Sequence, residues 1–174
     1  MKTTAAADHN TQHDLYLLLS DLFYLLDDHD RQFFGEYGLS ARQFWTLHHL
    51  SETDGLSMID LSRLLFTDKS NVTAIADRLE TAGLITRSPA PQDRRVIVLT
   101  LTPDGAERHA QALAAHHQRI RSLIGDDEAA LEQALGILES IRSRFEQHFH
   151  PGASHTPATP STPAGGKARG HSLP

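Results

Sequence analysis

The hydrophobic period of this chain changes in the middle of one continuous segment, residues 57–102, and that change limits the folds open to it. Ser57 reads as the N-cap of a short helix, MIDLSRLLF. After a brief turn Asp68 caps a second helix, in which Val72, Ile75, Ala76 and Leu79 recur at the i, i+3, i+4, i+7 spacing until Gly83 supplies a stop. The period then falls to two. Residues 84–88 read as a strand, PAPQD as a loop, and the β-branched run at 96–101 as the return strand of a hairpin.

The flanks are helical. Residues 14–34 are apolar on nearly all sides, with Leu15, Leu18, Leu19, Leu22 and Leu26 on one stripe and Tyr16, Phe23 and Tyr24 off it. A helix of that kind needs more than one neighbour to bury it. Ser40 caps a further helix, ARQFWTLHHLSE, that ends before the Asp54-Gly55 turn. Thr102 followed by Pro103 opens two long helices separated by Gly125 and Asp126. Ala106, Ala110, Leu113, His117, Ile120 and Ile124 make the stripe of the first, and Leu131, Leu135, Leu138, Ile141, Phe145 and Phe149 that of the second. Residues 151–174, rich in Pro, Gly, Ser and Thr, cannot bury enough apolar surface to repay ordering and are expected to be a disordered tail. The fold class is thus mainly α with a small β-hairpin wing. Two short helices followed at once by a hairpin make a winged helix-turn-helix, here with a separate set of long apolar helices around it.

Composition removes several function classes. The chain has no cysteine, so disulfides, thiolate metal sites and thiol nucleophiles are excluded. No stretch has the length of a signal-peptide core or the roughly 20 apolar residues of a membrane span, and a cytoplasmic protein without membrane contact is expected. There is no glycine-rich phosphate loop and no G-x-S-x-G elbow, so no catalytic residues are assigned and an enzyme is not expected. The net charge of -6 looks wrong for a nucleic-acid binder, but the acidic excess lies at the two ends. Residues 40–125 hold ten Lys or Arg against nine Asp or Glu.

Within that near-neutral middle, the helix after Asp68 turns a polar face outward. Lys69, Ser70, Asn71, Thr73, Ala74 and Arg78 are left for a DNA groove or its phosphates once Val72, Ile75, Ala76 and Leu79 face inward. Asn reads adenine bidentately, Ser and Thr reach either base, Ala meets a thymine methyl, and Lys or Arg neutralises phosphate. Asp93, Arg94 and Arg95 fall at the hairpin tip, where an arginine can enter a narrow minor groove while Asp93 holds its direction. A winged helix used for protein contact would instead carry an apolar or acidic face.

The run LSRLLFTDKSNVTAIADRLETAGLITRSPAPQDRRVIVLTLTPDG resembles the core of the MarR family of bacterial regulators, in its DRLE-x-x-GL stretch, its D-R-R and its LT-x-x-G. Phe66 and Thr67 in the turn depart from the family's usual small or aliphatic pair, and Ala74 stands where arginine is frequent. The resemblance implies a winged-helix domain over residues 1–150, with a DNA-binding lobe at about 40–102 and dimerisation helices at about 12–36 and 103–149. It further implies double-stranded DNA as partner, a homodimer on a near-palindromic site, and a repressor released by a small-molecule effector.

Phe23, Phe44, Trp45 and His48 offer an apolar wall with one switchable polar group for such an effector, suited to an aromatic acid; an aromatic stripe at helical spacing is equally read as core. Twelve histidines invite a zinc-responsive alternative. Yet neither His109 with His116 nor His48 with His49 and His117 completes a set at ligand spacing, so no metal and no cofactor is assigned.

Overall fold

In the computed structural model, which describes residues 10–149, the chain forms two compact units, one ending at Gly125 and the other beginning at Asp126. The first contains α1 (Thr11–Gly35), α2 (Ala41–Ser51), β1 (Leu56–Ser57), α3 (Met58–Leu64), α4 (Lys69–Thr81), β2 (Ile85–Pro89), β3 (Ile97–Leu101) and α5 (Pro103–Ile124). The second contains α6 (Glu128–Phe149). The tail at 151–174 lies outside the described residues.

Side-chain caps fix where the helices of the first unit begin. Asn10, Ser57, Asp68 and Thr102 each accept the backbone N–H three residues on, and Ser40 with Gln43 forms a reciprocal capping box. Each such cap contributes about 1 kcal/mol. Helix α4 ends where Gly83 takes φ +72°, a left-handed turn that lets the Leu84 N–H reach the Leu79 carbonyl at 2.9 Å.

The three strands form one antiparallel sheet in the order β1-β3-β2. Pro89 is tolerated because β2 is an edge. β1 was not foreseen, since two residues carry no readable periodicity. It pairs Leu56 with Leu99, and the approach requires a glycine just before it: a Cβ on Gly55 would lie 2.6 Å from Val98 Cγ1.

The core is centred on α2. Phe44, Leu47 and Leu50 meet Phe34, Leu61, Val72, Ile75, Leu79, Leu84, Ile85, Leu99 and Ala112. Phe34 stacks on Phe44 with ring centroids 3.9 Å apart, which anchors the C-terminal end of α1. The rest of α1 is a different matter. Leu15, Leu18, Leu22, Phe23, Tyr24, Leu25 and Leu26 are all at least 40% exposed, so the described residues of the unit do not supply the neighbours that its apolar sequence demands.

Helix α5 presents Gly105, His109, Ala112 and His116 to the core, whereas Ala106, Ala110, His117 and Ile124 of its expected stripe are exposed. The reason is spacing, because a Cβ on Gly105 would lie 2.0 Å from the Leu84 carbonyl oxygen. Only small or flat side chains fit so close a crossing. On α6, Leu135, Ile137, Leu138 and Phe145 are likewise exposed. Among the described residues no helix is long and apolar enough to cross a membrane.

Candidate nucleic-acid interface

Helix α4 is the second helix of the helix-turn-helix, and its two faces separate as the period demanded. Val72, Ile75, Ala76 and Leu79 are buried, while Lys69, Ser70, Asn71, Thr73, Ala74 and Arg78 are exposed. The turn before it runs through Phe66, the one non-glycine residue with positive φ (48°) among the described residues. That left-handed residue ends α3 at Leu64, two residues short of the expected Phe66.

The start of α4 is a small polar network. Asp68 Oδ1 accepts the Asn71 backbone N–H at 2.9 Å and the Ser70 hydroxyl at 2.5 Å. The Asn71 amide donates to Asp68 Oδ2 at 2.9 Å and to Thr67 Oγ1 at 3.2 Å. Hydrogen bonds from Ser70, and then from the Asn71 backbone, hold the Asp68 carboxyl below its usual range. Asn71 is therefore oriented by the cap, with its amide nitrogen donating to both Thr67 and Asp68. Thr73, exposed, turns its hydroxyl back onto the Lys69 carbonyl at 2.9 Å.

The wing tip is held by Asp93. Its carboxylate takes a bidentate pair from Arg95 Nε and Nη2, both at 3.1 Å, and also accepts the Arg95 backbone N–H at 3.0 Å. Arg95, first in effect, keeps the Asp93 carboxyl below its ordinary value. The Arg95 side chain is nonetheless 91% exposed, a fixed cation projecting into solvent. Arg94 is also exposed.

Arg87 joins wing to helix and was missed by the sequence reading. From β2 it donates through Nη2 to Asp77 Oδ1 at 2.6 Å and to the Thr73 carbonyl at 3.4 Å, and its Nε lies 3.4 Å from Glu80 Oε2. The signal was the two-residue period of β2, which puts Arg87 on the same face as buried Ile85, with Asp77 and Glu80 three apart on α4.

A cavity of about 490 Å³ opens between α1, α2 and the turn before α4, lined by Phe23, Leu26, Asp27, Asp30, Ala41, Arg42, Trp45, His49, Leu64, Leu65 and Phe66. Of the four residues expected at an effector site, Phe23 and Trp45 line it. Phe44 does not, being wholly buried against Phe34. Nor does His48, whose Nδ1 faces His109 Nε2 at 3.3 Å. The cause is helical phase: Ala41, Trp45 and His49 share the cavity face at spacings of four, and Phe44 and His48 turn toward the core and α5. Burial, and then the His48 charge, push the His109 imidazole down to about 4.

A family model described as the MarR family matches residues 37–96. The multiple antibiotic resistance protein MarR of Salmonella typhimurium is 30% identical over 128 residues, spanning 67% of this chain and 88% of that protein. The structure of the transcriptional regulator BldR from Sulfolobus solfataricus superposes with a TM-score of 0.71 at 27% identity, covering 77% of this chain and 96% of that one. BpsR of Bordetella bronchiseptica, whose DNA binding is regulated by 6-hydroxynicotinic acid, gives 0.63 at 27% identity, covering 72% and 90%.

Proposed function

Since the chain belongs to the MarR family of DNA-binding transcriptional regulators, and is not an enzyme, we propose that two copies act together as a repressor on a near-palindromic operator. The observation that carries this reading is the pairing of two polar surfaces on one lobe. The capped start of α4 exposes Lys69, Ser70, Asn71, Thr73, Ala74 and Arg78, and the Asp93-held wing exposes Arg94 and Arg95. In a complex, α4 enters the major groove and Arg95 the adjacent minor groove, with the helix choosing bases and the wing reading groove width. The exposed leucines and aromatics of α1, and the exposed apolar residues of α6, support a two-fold dimer that covers them.

The effector in this reading is a small aromatic acid bound in the cavity. Phe23, Trp45 and Phe66 supply flat apolar surface there, and Arg42 supplies a cation for a carboxylate. The regulation of BpsR by an aromatic acid supports the choice of class. A ligand acts by favouring a spacing of the two lobes that does not match the operator.

Fluorescence anisotropy with DNA fragments selected from the source genome tests the DNA surface. Affinity falls steeply as salt rises, by about a thousandfold or more between 50 and 200 mM if six phosphates are neutralised. Arg95→Ala weakens binding about tenfold and leaves the melting curve in place. Unchanged affinity in that variant removes the wing from the mechanism. Trp45, the single tryptophan, reports on the cavity through its emission as an aromatic monocarboxylate is added.

A further inference from the structure

At the edge of the cavity, which Asp30 also lines, three side chains bring their donor atoms together. His29 and Asp30 come from α1 and His116 from α5, and one ligating atom from each lies within 4.8 Å of the other two. Two of the separations are known more closely: His29 Nδ1 and His116 Nε2 each stand 3.4 Å from the same oxygen, Asp30 Oδ1. Zinc holding N and O donors at about 2.0–2.2 Å sets neighbouring tetrahedral donors roughly 3.3–3.6 Å apart, so these two edges already have the required length.

His116 is the decisive group. Its side chain is only 10% exposed, and its Nε2 is buried with no hydrogen-bond partner, although it points at a carboxylate oxygen. A buried polar nitrogen left in that state loses its hydration without a replacement and calls for an occupant.

The surroundings fit a bound cation. Trp45 Nε1 donates to the other carboxylate oxygen, Asp30 Oδ2, at 3.4 Å, which orients the group, while Oδ1 is hydrogen-bonded to His29 Nδ1 at 3.4 Å, the contact that a metal on both atoms would replace. Asp27 on the same helix is paired with Arg31 and does not compete. Arg119 is exposed, and its Nε donates to His29 Nε2 at 3.4 Å; a metal on His29 Nδ1 would shift that ring's proton to Nε2 and break this contact.

We propose that His29, Asp30 and His116 bind one divalent transition-metal ion of zinc's type, with the fourth position open. Two imidazoles and one carboxylate, with no sulfur, favour a borderline ion over the hard alkaline earths or the soft Cu(I). The site stands whether or not the chain binds DNA as described above, because its binding is measured without DNA.

The experiment uses the full chain, stripped with a chelator, and zinc in competition with a chromophoric chelator. The wild type takes up one zinc per chain. Asp30→Asn, His29→Gln and His116→Gln each weaken that uptake at least about tenfold, while His117→Gln, on the exposed side of α5, leaves it unchanged. Circular dichroism of each metal-free variant checks its folding. If His116→Gln does not fold, His29→Gln and Asp30→Asn carry the test, both groups lying nearer the surface. Equal uptake by wild type and the three ligand variants identifies surface histidines as the binders and overturns the site, as does uptake well below one ion per chain.

Discussion

At Gly105 a single hydrogen is all the space the fold leaves. The glycine of the LT-x-x-G motif stands in the first turn of α5, with the Leu84 carbonyl oxygen 2.0 Å from where a Cβ would be built. Backbone cannot move aside as a flexible side chain does. Gly105→Ala is expected to cost about 3 kcal/mol in denaturant unfolding, the upper end for an overpacked site, and a loss below 1 kcal/mol would show that α5 can lift away from Leu84. His109 makes the stability depend on pH. Its folded value is about 4 against about 6.5 unfolded, so the unfolded chain binds a proton that the folded one refuses between those limits. Its contribution is fully present above pH 6.5 and is lost as pH falls toward 4, on the order of 2–3 kcal/mol. His48 Nδ1 faces it at 3.3 Å, and His48 Nε2 in turn lies 3.8 Å from Glu52. Chemical denaturation of His109→Gln at pH 7 and 4.5 is predicted to show a shallower loss than wild type; equal losses would contradict the assignment.

The elements differ in how plainly the sequence announces them. Helices α2, α3 and α4 were legible because Ser40, Ser57 and Asp68 are caps and the apolar residues behind them keep one period. The hairpin was legible from its β-branched return strand, with edges displaced by one residue. Two features were not. β1 owes its existence to a partner strand rather than to its own two residues. The face of α2 that lines the cavity is one position out of phase with the expected set, because core and cavity both attract aromatic residues and only packing tells Phe44 from Trp45. Arg87 belongs to this scale, as the clamp between β2 and α4. Arg87→Ala leaves the secondary structure intact but frees Asp77 and Glu80, and operator affinity is expected to fall about fivefold with no change in the bases preferred. An altered base preference measured by selection would mean that Arg87 contacts DNA directly.

For the molecule as a whole, the largest unexplained quantity is apolar surface. Leu18, Leu22 and Phe23 are 55%, 45% and 65% exposed, a density that a lone soluble chain rarely shows. The sequence displayed this excess, though not which residues would stay uncovered, since that depends on how α1 leaves the core at Phe34. A Leu18→Glu, Leu22→Glu double variant is expected to sediment as a monomer with the winged-helix lobe still folded, and to lose operator binding. The most direct test of the account is hydroxyl-radical footprinting of the wild-type protein on a selected operator, combined with the stoichiometry of the complex. Two chains per site and two protected patches about one helical turn, roughly 34 Å, apart are predicted. A single protected patch bound by one chain would contradict it.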